Sequence, residues 1–112
     1  MVKLKKNQKN CNDAAELLKA IAHPLRLRIV AILCEHDEHV NGLAEKLSAN
    51  QSIVSQQLRI LRMRGLVAAT RQNGFSNYKL IEPHLRKMVS CLEGCLANRA
   101  KDQAEVNGET HK

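Results

Sequence analysis

Apolar residues recur along this chain at two spacings, helical at both ends and alternating between them, and the change of period locates the elements. From about 12 to 22, Ala14, Ala15, Leu18, Ile21 and Ala22 form a stripe, with Asn12 or Asp13 as the cap. His23-Pro24 ends that helix and starts another, since proline suits a first helical turn. There Leu25, Ile29, Ile32 and Leu33 point inward, while Arg26 and Arg28 face solvent or phosphate. Residues 36–40 are polar and read as a connection, and 41–47 form a short helix on Leu43, Ala44 and Leu47. Ser48-Ala49-Asn50 is a tight turn into a further helix, whose buried side is Val54, Leu58 and Leu61 at i, i+4, i+7. Gln51, Ser52, Ser55, Gln56 and Arg59 take the opposite arc. Two helices joined in this way make a helix-turn-helix.

Gly65 sits where that helix needs a left-handed terminator, and strands follow at about 66–72 and 75–81 around Asn73-Gly74, the strongest short hairpin signal. Glu82-Pro83 opens a last helix to about residue 100 with an apolar seam of Leu85, Met88, Val89, Leu92, Cys95 and Leu96. Nothing upstream in so small a domain is left to cover that seam, so a symmetric second copy is its natural cover, with the first helix contributing. The expected architecture is mainly α with a β-hairpin wing: a winged helix-turn-helix, homodimeric through its first and last helices. A basic flexible arm (1–11), one domain (12–100) and a disordered tail (101–112) complete the expected organisation.

Composition narrows the function. The 112 residues suffice for one domain, and with one Phe, one Tyr and no Trp the core must be aliphatic. So few aromatics argue against a single-strand binder that stacks bases. Eighteen Lys and Arg against eleven Asp and Glu give +7, which favours a polyanion. Gln and Arg on a helix face can hold a base edge with two hydrogen bonds at once, and Arg59, Arg62, Arg64 and Arg71 gather around that face. The expected partners are double-stranded DNA and a second copy of the chain. No run of about 18 apolar residues and no signal-peptide core occur, so a soluble cytoplasmic protein with no membrane partner is expected. No nucleophile–base constellation or phosphate-binding glycine loop suggests an enzyme. The competing reading is a winged-helix protein-interaction module with structural cysteines, which would not require the arginines.

With these pieces in order, the chain resembles the ArsR/SmtB family of small dimeric winged-helix repressors over roughly residues 12–98. The resemblance rests on AHPLRLRIVAIL for the second helix, NQSIVSQQLRILRMRGLV for the recognition helix and RQNGFSNYKL for the wing. It implies a dimer held by its first and last helices on an imperfect palindrome in double-stranded operator DNA, released when a ligand or a thiol modification favours a state that fits DNA poorly. The family's DNA-facing positions fall on Gln51, Ser52, Ser55 and Gln56, the face that periodicity also selects, and its wing tip on Arg71 to Asn77, where Arg71 and Asn73 reach phosphate or minor groove.

Sensing chemistry is less determined. The family's Cys-x-Cys site before the recognition helix is missing, since EHVNGLAEKL holds no cysteine; His36 and His39 lie there instead. Its other site, across paired last helices, matches Glu82, His84, Cys95 and Asn98. His84 and Cys95 stand about 16 Å apart along one helix, so they share an ion only between two chains. Cys91 faces the same way as Cys95, one turn earlier. Their Cβ atoms, about 6 Å apart, are too distant for an easy disulfide but within reach of one soft ion. Glu82, His84, Cys91 and Cys95 are therefore the candidate metal ligands, and Cys34, Cys91 and Cys95 the candidate redox thiols; Cys11 could join them. Binding of a thiophilic metal or metalloid, disulfide or polysulfide formation without any cofactor, and purely structural cysteines all stay open.

Overall fold

In the computed structural model, residues 4–110 are described, and the chain divides after Glu82 into two compact units. The sequence pattern suggests one domain over 12–100; the elementless stretch 81–84 separates the two.

The first unit opens with a 3-10 turn, Leu4–Lys6, and α1, Gln8–Ile21. This helix starts upstream of the expected Asn12 because Asn7 caps it, its side chain accepting from the Asn10 N–H at 3.1 Å. Described residues of the expected arm are thus largely helical, while its first three residues and positions 111–112 of the expected tail lie outside the described residues. The buried side of α1 also differs in part: Ile21 is buried as expected and Ala20 beside it, whereas Ala15 and Ala22 are exposed and Leu18 is 54% exposed. The apolar residues of α1 spread over more than one face, so spacing alone could not fix which face turns inward.

Pro24–Glu35 form α2, capped by His23, whose Nδ1 accepts from the Leu25 N–H at 3.2 Å. Ile29, Val30 and Leu33 are buried, and Leu25 and Ile32 only half so. Arg26 does not face solvent or phosphate as expected. Its guanidinium donates to Ala20 O at 2.6 Å, Lys19 O at 3.3 Å and Gln57 Oε1 at 3.0 Å, tying off the carbonyl end of α1. Arg28 is exposed.

Glu38–His39 make a two-residue strand, β1, where a plain connection was expected, too short for any alternation to reveal it. Val40–Leu47 form α3, capped by His39, whose Nδ1 accepts from the Gly42 N–H at 3.0 Å. Ser48 takes the left-handed conformation (φ 51°) and closes α3. Asn50 then caps α4, Gln51–Met63, accepting from the Ser52 N–H at 2.8 Å.

Val54, Leu58 and Leu61 are fully buried, as their spacing requires. Gly65 (φ 74°) ends α4 in a Schellman arrangement, with Gly65 N–H to Arg62 O and Leu66 N–H to Leu61 O, both at 3.0 Å. The hairpin is β2, Val67–Gln72, and β3, Phe75–Leu80, turning through Asn73 (φ 53°) and Gly74 (φ 83°) as a primed two-residue turn demands. Sheet order is β1-β3-β2, antiparallel, with Glu38 opposite Tyr78 and His39 opposite Asn77. The core is aliphatic, and no polar or charged residue is buried among the described residues.

The second unit is α5, Leu85–Thr110, whose first turn is closed by Met88 N–H to His84 O at 3.0 Å. It runs ten residues past the expected end, through most of the segment read as a disordered tail. Leu85 and Val89 are buried, but Leu92, Cys95 and Leu96 of the seam are exposed in the single chain. No helix among the described residues is long and apolar enough to cross a membrane.

Candidate nucleic-acid interface

Burial of Val54, Leu58 and Leu61 fixes how α4 is rotated about its axis, so the arc opposite them must face water. Gln51, Ser52, Ser55, Gln56 and Arg59 are all exposed there. The wing adds a second surface: Arg71, Gln72, Asn73 and Gly74 are exposed at the hairpin's end. Between the two lies a cleft of about 170 Å³, lined by His39, Asn41, Gln51, Phe75 and Ser76. Gln51, at the entry of α4, therefore faces the wing across this cleft, and all seven expected contact residues belong to the first unit.

Electrostatics follow from which cations are already engaged. Arg64, expected beside the reading face, instead pairs with Glu16 at 2.9 Å, because it lies past the end of α4 on the side of α1. The nearby Lys19 charge, and then the Arg64 hydrogen bond, hold the Glu16 carboxyl below its ordinary range. Arg59, Arg62 and Arg71 are exposed. A signal that residue-by-residue reading misses is the absence of acids: residues 48–81 contain no Asp or Glu but carry Arg59, Arg62, Arg64, Arg71 and Lys79. The helix, turn and wing thus form one uninterrupted cationic segment. The exposed Lys79 joins the candidate interface on that ground.

Behind the cleft, Glu38, His36, Lys46 and His39 form a polar cluster. Lys46 Nζ donates to Glu38 Oε2 at 2.8 Å and to His36 Nε2 at 3.0 Å, and His36 Nδ1 donates to Asp37 O at 2.9 Å. The Lys46 hydrogen bond chiefly lowers the Glu38 pKa; partial burial opposes it and the His39 N–H assists. The His39 ring sits 6.0 Å from that of Phe75, centroid to centroid. Both histidines are occupied in supporting the wing and α3.

The thiols lie elsewhere. Cys34 is half-buried in the last turn of α2, and Cys11 is exposed near the start of α1, its Sγ donating to Leu4 O at 2.7 Å. Cys91 and Cys95 are exposed one turn apart on α5; His84 is exposed before α5, and Glu82 is half-buried. Among the described residues of one chain, no three His, Cys, Asp or Glu side chains gather to hold a metal ion. The candidate ligands do not fit an ion within a single chain.

Comparison with known proteins agrees with this geometry. The family model described as "Bacterial regulatory protein, arsR family" matches residues 23–69, from α2 into β2. The chain is 35% identical over 85 residues to the biofilm growth-associated repressor of Xylella fastidiosa, covering 76% of this chain and 75% of that one. It is 34% identical over 98 residues to the transcriptional activator HlyU of Vibrio cholerae, covering 86% and 91%. The crystal structure of the repressor BigR from Xylella fastidiosa superposes with a TM-score of 0.77 at 32% identity, over 84% of this chain and 96% of that one.

Proposed function

This chain belongs to the ArsR family of bacterial regulatory proteins, DNA-binding transcriptional regulators rather than enzymes, and on that premise we propose that it is a homodimeric repressor whose operator binding is modulated at cysteine thiols. One observation carries the DNA-reading part: an exposed polar arc on α4 and an exposed wing tip lie within a segment holding five cations and no acid. Polar side chains on α4 read base edges in a major groove, and Arg59, Arg71 and Asn73 hold the flanking backbone. The exposed Leu18 on α1, and Leu92 and Leu96 on α5, support burial against a second copy. Two copies place two α4 helices on successive turns of the duplex. Replacing Ser55 and Gln56 together by Ala should reduce affinity for the protein's own promoter, measured by fluorescence anisotropy, to that for unrelated duplex. Undiminished affinity would move the reading face elsewhere.

Thiol modulation is supported by the two exposed cysteines on α5. Spacing of one helical turn disfavours a disulfide between them. A soft ion held by both thiols, with Glu82 and His84 supplied across a dimer, is one chemistry; oxidation or persulfidation of Cys34, Cys91 or Cys95 is the other. Changing Cys91 and Cys95 to Ser should leave DNA affinity intact while abolishing release by the inducer. Mass spectrometry after arsenite, zinc, diamide or polysulfide separates the chemistries: a retained ion, the loss of two hydrogens, or added sulfur. No mass change at any of these thiols would leave the cysteines structural.

A further inference from the structure

Ile53 stands 47% exposed in the first turn of α4, where an apolar, β-branched side chain in water calls for a reason. The same flank of the helix closes in further along. Gln57, one turn on, is half-buried and held by Arg26 at 3.0 Å, and Ile60, two turns on, is half-buried too. Of these three residues only Ile53 is exposed, and the neighbouring Ser52 and Gln56 are both exposed and polar. Ile53 gains only part of the stability that a core isoleucine would. A β-branched side chain is mildly unfavourable in a helix, and half its surface stays in water. Its χ1 is stiff, however, so little rotamer freedom is lost when it is pressed against a partner.

We infer that Ile53 is a specificity-determining residue that packs on the C5-methyl group of a thymine in the major groove. This deepens the DNA-reading assignment of α4 and rests on it. The thymine methyl is the one apolar feature that base edges present in that groove. Serine and glutamine alone would read hydrogen-bonding groups and leave thymine poorly separated from other bases; an isoleucine among them adds a test for the methyl.

The experiment removes that single group. A duplex is selected from a random pool by the intact protein, and each thymine in each half-site is then replaced in turn by deoxyuracil, which lacks only the methyl. At one thymine per half-site, wild-type affinity should fall about fourfold, the equivalent of about 0.8 kcal/mol for one buried methyl-sized group. The Ile53→Ala variant should bind the thymine and deoxyuracil duplexes equally while remaining folded, as its melting curve checks. The proposal is overturned if no thymine shows a methyl dependence, or if Ile53→Ala retains the same penalty at the same thymine. Should no duplex be enriched at all, the reading face itself is wrong and the proposal goes with it; enrichment without methyl dependence overturns the proposal alone.

Discussion

Glu38 is held in place from three directions: Lys46 donates to it, the His39 N–H donates to it at 3.1 Å, and Gly42 leaves room for it. A Cβ at residue 42 would collide with the Glu38 carboxylate, so this glycine is there for space, although φ is ordinary. Because folding lowers the Glu38 pKa, the pair contributes stability above the unfolded value of about 4.3 and loses it as pH falls through the lower folded value. Melting temperatures of Glu38→Gln should therefore fall less than wild type between about pH 5 and pH 3. Gly42→Ala should raise the Glu38 pKa toward its ordinary range, as followed by carboxyl NMR shifts, because the carboxylate must leave Lys46. In a Glu38→Ala background the same change should stabilise the protein by up to about 1 kcal/mol, the helix propensity of Ala over Gly. A second residue does comparable work with a positive charge. Arg26→Ala should cost about 2 kcal/mol in urea denaturation by leaving the carbonyl end of α1 and the Gln57 amide oxygen unanswered. Arg26→Lys should restore less than half, since an ammonium cannot span three acceptors as a planar fork does.

Among the elements, legibility in the sequence followed length and one-sidedness. Val54, Leu58 and Leu61 of α4 share one side and the arc opposite them is polar, so its buried and reading faces could both be assigned from spacing; the exposed Ile53 and Met63 fall outside that pattern. Asn73-Gly74 fixed the hairpin because so few residues tolerate two successive positive φ values. In α1 the apolar residues surround much of the helix, so the expected stripe held the buried Ile21 but left out the buried Ala20 and took in the exposed Leu18. From their charge Arg26 was expected to face solvent or phosphate and Arg64 to flank the DNA face, but their positions at helix ends direct them to the carbonyls and carboxylate of α1. β1 escaped notice altogether, because two residues carry no period. The thiols were legible only as positions: α5 bears two of the three exposed cysteines, α1 the third, and the geometry of a partner decides what they can reach.

For the whole molecule, the charge map sets how binding responds to salt. Cations of the segment 48–81 displace counterions from phosphates, so log affinity should fall linearly and steeply with log salt concentration. Arg71→Gln should lower the magnitude of that slope by about one for each copy bound while sparing the choice of sequence, a pattern checked by titrations at several salt concentrations. The small strand β1 gives the same surface its mechanical character. By pairing with β3 directly ahead of α3, it stitches the base of the wing to the helix pair that carries α4. A wing hung from its own two strands alone would flap. Anchored at a third point, it keeps a set span from α4, and the protein acts as a caliper. Within each half-site such a caliper should tolerate an exchanged letter more readily than an inserted one.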